Sequence, residues 1–212
     1  MIDPSTLLPA AITVAIFLLI GFPVHEFAHA AVAYLQGDAT AKLFGRMTLN
    51  PIVHFDPAGG LMTIVSVFIG GFLIGWAKPT PVNPANLRDR RNGEVIVALA
   101  GPASNFLMAI GGALVFRLLE GVGVELRDGG LLGYVLYLFV LYNVTLAIFN
   151  FLPVPPLDGS TLLYRVLSPR QAWQVRPFLN QYGIFIVLGV VLLLSRPLSN
   201  AIYGVTDVLV GA

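Results

Sequence analysis

The chain has 212 residues, of which 57% are hydrophobic and 11% charged, with a net charge of +1 and a mean hydropathy of +0.83. That balance excludes a water-soluble domain and points to an all-α polytopic membrane protein in a lipid bilayer. Near-zero net charge gives no sign of a nucleic-acid partner, and the absence of cysteine excludes disulfides, thiolate metal sites and cysteine nucleophiles.

The apolar segments, in chain order, are A (7–35), B (59–77), C (94–119), D (131–151), E (179–194) and F (198–210). This predicts about five transmembrane helices plus one segment, B, that enters the membrane and returns. Residues 1–212 read as a single membrane-embedded domain. The opening Met1-Ile2-Asp3-Pro4 lacks the basic region of a signal peptide, so A is expected to stay as a span. Pro23 should kink A, because its nitrogen cannot bond to the Leu19 carbonyl. Residues 160–167 suggest a short surface helix between D and E.

Segment A carries the most informative motif, His25-Glu26-Phe27-Ala28-His29. On a helix His25 and His29 lie one turn apart on one face. Two imidazoles at that spacing can bind one zinc ion, and the adjacent Glu26 is placed to activate zinc-bound water. Ionisable groups inside a membrane-length helix are costly and usually functional. Packing as buried polar groups between helices is the bland alternative.

A catalytic zinc site needs a third protein ligand. The candidates are His54, Asp56 and Asp158, and spacing alone does not choose among them. Topology helps. If B is re-entrant, the connections 36–93 and 152–177 share one side with nine basic residues: Lys42, Arg46, Lys78, Arg88, Arg90, Arg91, Arg165, Arg170 and Arg176. Arg117, Arg127 and Arg196 are then left on the other side. The positive-inside rule makes the nine-charge side cytoplasmic. If B spans instead, the count is seven against five, and Asp158 falls on the side opposite His29. Charge and ligand requirement therefore favour the re-entrant reading.

Four motifs in order extend the pattern. After the first come Leu49-Asn50-Pro51-Ile52-Val53-His54-Phe55-Asp56-Pro57 with the later Gly75-Trp76-Ala77-Lys78-Pro79-Thr80-Pro81-Val82-Asn83, then Gly101-Pro102-Ala103-Ser104-Asn105, then Asn150-Phe151-Leu152-Pro153-Val154-Pro155-Pro156-Leu157-Asp158-Gly159. Together they resemble the site-2 proteases, intramembrane zinc metalloproteases, and in particular the compact branch without PDZ or CBS domains. The resemblance implies one zinc per chain, Asp158 as the third metal ligand beside His25 and His29, Glu26 as the catalytic base, and Asn150 beside a transmembrane protein or peptide substrate.

Each motif also has a reading from its own chemistry. The prolines after Asn150 end helix D and force an extended backbone whose polar groups should face a cavity, where an unwound substrate can pair as an added strand. Asp158 can cap a helix starting at Gly159. Asn150 can donate to a substrate or its oxyanion, and both it and Asn105 can instead join helices. Asn105 can also help satisfy the Ala98 carbonyl freed by Pro102. His54 and Asp56 suit loop structuring or an accessory role near the metal.

The expected activity is hydrolysis of peptide bonds within or near the bilayer, on the cytoplasmic side of a membrane. An arginine-rich, alanine- and glycine-rich composition suits a prokaryote. The alternative is a metal-binding transporter or a non-catalytic adaptor that keeps the zinc. A transporter should carry ionisable residues on several spans, whereas Glu26 is the only acidic residue well inside one. A zinc hydrolase of lipid is a third class.

Overall fold

The structure is a computed structural model, describing residues 4–67, 75–90, 92–127 and 130–211. Among these residues there are helices and no strand. Segment A begins as α1 (Pro4–Ile16), passes through a π-helical turn (Phe17–Gly21) and continues as α2 (Phe22–Leu35). The helix does not break at Pro23. The wider π turn just before it accommodates the proline, and such bulges are common beside functional residues.

Three short helices follow: α3 (Thr40–Leu43), α4 (Pro51–His54) and α5 (Pro57–Val65). Asn50 caps α4 by accepting from the Ile52 amide, and Asp56 caps α5 by accepting from the Gly59 amide. Both helices start with proline at the first position, where its missing N–H costs nothing. Part of segment B, 68–74, lies outside the described residues.

Its two ends nevertheless meet. The Lys78 amide donates to the His54 carbonyl at 2.8 Å. A side chain on Gly75 would collide with Thr63, and one on Gly59 would collide with the Trp76 carbonyl. Residues 75–78 thus run back along α5 to the level where the segment began, so B is re-entrant.

α6 (Gly93–Gly121) and α7 (Leu131–Asn150) are segments C and D, joined beyond their far ends. Their interface holds the main core, with Ala109, Ala113, Val140 and Val144 almost wholly buried. Small residues let the helices approach closely, which is how packing substitutes for a hydrophobic drive inside lipid. Ala30 and Ala33 of α2 are likewise fully buried.

α8 (Gly159–Val166) is the expected surface helix. α9 (Pro169–Leu193) begins ten residues before segment E, because Ser168 and Gln171 form a reciprocal capping box ahead of its polar first turns. α10 (Ser195–Val210) corresponds to F.

Among the described residues, four helices are long and apolar enough to cross a bilayer: Ala11–Leu35, Gly93–Gly121, Leu131–Asn150 and Pro169–Leu193. The 16-residue α10 is shorter than the roughly 20 residues a span requires. Its direction is fixed by contacts. Arg117 donates to the Leu209 carbonyl at 2.6 Å, and Arg127 to Val210 at 3.1 Å, so α10 ends beside the α6–α7 connection. α9 passes the opposite end, where a side chain on Gly183 would collide with the Pro155 carbonyl. Together α9 and α10 therefore cross once, not twice.

Candidate metal centre

α2 presents His25, Glu26 and His29 from its middle turns, all buried. Asp158, from the proline-rich turn after α7, meets both histidines. His25 Nε2 lies 3.0 Å from His29 Nε2, and Asp158 Oδ2 lies 3.1 Å from the first and 3.3 Å from the second. These three are the described residues that could together hold a metal ion.

The donor set fits zinc. His29 Nδ1 donates to the Val97 carbonyl at 2.7 Å. A carbonyl can only accept, so Nδ1 of His29 holds a proton, and in the neutral imidazole that binds metal Nε2 carries the lone pair. His25 Nδ1 donates to Asn105 Oδ1 at 2.6 Å, which frees its Nε2 in the same way. Asp158 Oδ2 is buried without a hydrogen-bond donor. Three facing lone pairs repel unless a cation lies among them. In a tetrahedral site with zinc–ligand bonds of about 2.0–2.1 Å, ligand atoms are about 3.3 Å apart, close to the three edges found here.

The opposite wall leaves room. Gly101 of α6 faces the two imidazoles, and any side chain there would collide with both Nε2 atoms. Thus the glycine of the Gly101-Pro102 motif keeps the metal-facing edge clear, and Asn105, one turn on, orients His25. Asn105 does not reach Ala98. Its amide nitrogen instead donates to Asn143 Oδ1 at 3.0 Å and to the Gly21 carbonyl at 3.4 Å.

Glu26 Oε2 accepts the Thr80 amide at 2.8 Å, and Thr80 Oγ1 donates to the Glu26 carbonyl at 3.1 Å. The return arm of segment B therefore lies directly on the glutamate. It is pinned in turn by Asp38, which is fully buried. That carboxylate accepts from the Asn83 amide at 2.7 Å, from Asn86 Nδ2 at 3.0 Å and from the Thr40 amide at 3.0 Å. Burial alone would raise the Asp38 pKa, but the donors Thr40, Asn86 and Asn83 outweigh it and hold the carboxyl below its ordinary value. Asp38 and Asn143 were not singled out in the sequence as site residues, and Thr80 stood there only as part of the 75–83 motif, with no role assigned. The Asp38-Ala39-Thr40 spacing is a local capping signal, but its long-range partners are not visible there.

The remaining candidates separate. Asp158 occupies the cap position of α8 without a side-chain cap bond, because its carboxylate faces the histidines. His54 is buried, with Nε2 donating to the Thr48 carbonyl at 2.7 Å, and Asp56 caps α5. Neither belongs to the metal cluster. Asn150 lines the same cavity as the cluster, but its amide donates to the Leu146 carbonyl of its own helix at 3.0 Å.

That cavity has a volume of about 870 Å³. It runs from His25, Glu26 and Asp158 along the α7 face at Tyr142 and Leu146 to Leu188 of α9. A pocket with apolar walls and a few convergent polar groups at one end is the usual form of a ligand site.

Comparison with known proteins agrees with this geometry. Over 190 residues the chain is 38% identical to "Putative zinc metalloprotease YwhC" of Bacillus subtilis, covering 87% of this chain and 81% of that protein. It is 31% identical over 186 residues to "Putative zinc metalloprotease Rip2" of Mycolicibacterium smegmatis, covering 86% and 66%. The Rip2 of Mycobacterium tuberculosis strain H37Rv is 29% identical over 189 residues, covering 88% and 68%. No solved structure matches. The family description "Peptidase family M50" matches residues 13–131 and 124–194, which include every residue of the cluster, and the chain belongs to that family.

Proposed function

We propose that the chain is an intramembrane zinc metalloprotease that cleaves transmembrane or membrane-proximal segments of protein substrates. The observation that carries this reading is the convergence of His25, His29 and Asp158 within 3.3 Å, beside Glu26, on the wall of a long apolar cavity. Zinc, held by those three residues, would polarise the scissile carbonyl and acidify water at its open position.

The chain's own residues do the rest. Glu26 takes the proton of the attacking water and delivers it to the leaving amine. Its alignment is fixed by the Thr80 amide on one carboxylate oxygen. Asn150, released from Leu146, donates to the substrate backbone or to the developing oxyanion, an effect of about 2–4 kcal/mol at most. The apolar walls accept side chains from an unwound helix. The backbone before Asp158 is a run of turns and bends, with the Val154 amide on the Leu152 carbonyl and the Leu157 amide on the Val154 carbonyl, so the extended course expected from its prolines is not formed and this stretch is not the strand edge for a substrate. The basic residues around α8, α9 and the 76–90 arm support, by the positive-inside rule, an active site that faces the cytoplasm of a cellular membrane. The whole chain works as one membrane-embedded unit.

The test is Glu26→Gln. Glutamine keeps size and shape but cannot accept the proton, so cleavage of a transmembrane substrate in liposomes should be abolished with one zinc per chain retained. Proteins that co-purify with this variant would identify substrates. Undiminished cleavage would remove the general-base assignment.

A further inference from the structure

A chain of directed hydrogen bonds runs from α7 through α6 to the metal face of α2. At its outer end, Asn143 Nδ2 donates to the Phe139 carbonyl at 2.8 Å. Because a backbone carbonyl only accepts, Asn143 must point its NH2 there and its Oδ1 toward α6. Asn105 Nδ2 donates to that oxygen at 3.0 Å and to the Gly21 carbonyl, a second group that only accepts. Asn105 therefore turns its own Oδ1 to His25, and His25 must donate from Nδ1. Both asparagines are fully buried, so water cannot substitute for a missing link.

We propose that Asn143 is a positioning residue for the metal centre. It fixes the orientation of the Asn105 amide and, through it, the His25 tautomer that leaves Nε2 free. Asn143 touches neither His25 nor the cavity wall. Without it, only the longer 3.4 Å bond to the Gly21 carbonyl still orients the Asn105 amide, and the flipped form that presents its NH2 to His25 becomes more populated. That stabilises the imidazole with a proton on Nε2, the form that cannot bind metal. Partners of this kind change metal affinity about 10–100-fold.

The inference rests on His25, His29 and Asp158 holding the metal, and the test separates the two ideas. Zinc affinity is measured by chelator competition in detergent for wild type, Asn143→Leu, Asn105→Asp and the double variant, with helicity and Tm recorded for each. Wild type should bind one zinc, and its failure to do so would overturn the metal site itself. Asn143→Leu should bind at least about tenfold more weakly. A carboxylate at 105 accepts from His25 with either oxygen and has no wrong orientation, so adding Asn143→Leu to Asn105→Asp should cost nothing. Asn143→Asp keeps the oxygen that Asn105 needs and should restore most of the affinity. Wild-type affinity in Asn143→Leu would overturn the proposal. So would an equal loss in both backgrounds, which marks a packing role. If Asn143→Leu alone fails to fold, the Asn105→Asp pair and Asn143→Asp decide the question.

Discussion

At the scale of single residues, the candidate metal centre combines three side chains that could hold an ion with one position, Gly101, where a side chain would block them. Gly101→Ala would place a methyl group against both imidazole Nε2 atoms. Zinc occupancy should fall to near zero while the helical content is unchanged, measurable by elemental analysis beside circular dichroism. Asp158→Ala should also lower occupancy, because the third ligand is lost. His54→Ala should keep occupancy near wild type, since His54 bonds to Thr48 and not to the cluster. Loss of metal from His54→Ala with retention in Asp158→Ala would reverse the assignment. His25, Glu26 and His29 were legible in the sequence because helical spacing is a local property. Asp158 was one of three candidates by spacing, and only the family resemblance chose it. Asn143 was not legible, since its role depends on which face of α7 meets α6, and α7 is apolar nearly all round.

At the scale of elements, the arm 75–86 is held beside α2 at two points, by Thr80 on Glu26 and by the Asp38 carboxylate just past the helix end. Asp38→Ala would leave the Asn83 amide without its acceptor, a cost of about 1–3 kcal/mol. Limited proteolysis should then cut between residues 79 and 86 faster than in wild type, with zinc retained. The same clamp has a pH signature. The Asp38 carboxyl is held below its ordinary value of about 4, so its contribution is fully present above that value and is lost only as acid titrates the folded state. Protease resistance of the arm should be flat from about pH 5 to 8 and should decline below about pH 4. A loss of resistance between pH 5 and 7 would assign the clamp elsewhere. The re-entrant course of this segment followed from charge counting, while the clamp did not, because Asp38 and Asn83 are 45 positions apart. The start of α9 was misplaced for a related reason: its first turns are polar, so hydropathy missed a helix that a capping box begins.

At the scale of the whole molecule, the ends of the helices sort onto two sides. The metal centre, α8 and the 76–90 arm share one side. The α6–α7 connection and the end of α10 share the other. The native chain has no cysteine, so single cysteines report topology cleanly. Cysteines at the exposed positions Asn86 and Arg170 should react with an impermeant thiol reagent from the cytoplasmic side. Cysteines at Val122 and Val208, also exposed, should react only from the opposite side. Labelling of position 208 from the cytoplasm would mean that α9 and α10 cross separately.

The walls of the long cavity are unequally held. α2, α6 and α7 pack through small residues, whereas only 6% of the apolar window of α9 is buried against the rest of the protein. In a bilayer, lipid tails would therefore supply most of the neighbours of α9 and so become part of the wall of the long cavity. In hydrogen exchange, amides of α9 from Ile184 to Leu193 should open well before those of α6, by a local step rather than global unfolding. The gap between the two should widen in short-chain detergent, which covers the helix less completely than a bilayer does. A substrate helix approaching from within the membrane would meet this lipid-supported wall first, and would enter by taking the place of lipid rather than by breaking a protein interface.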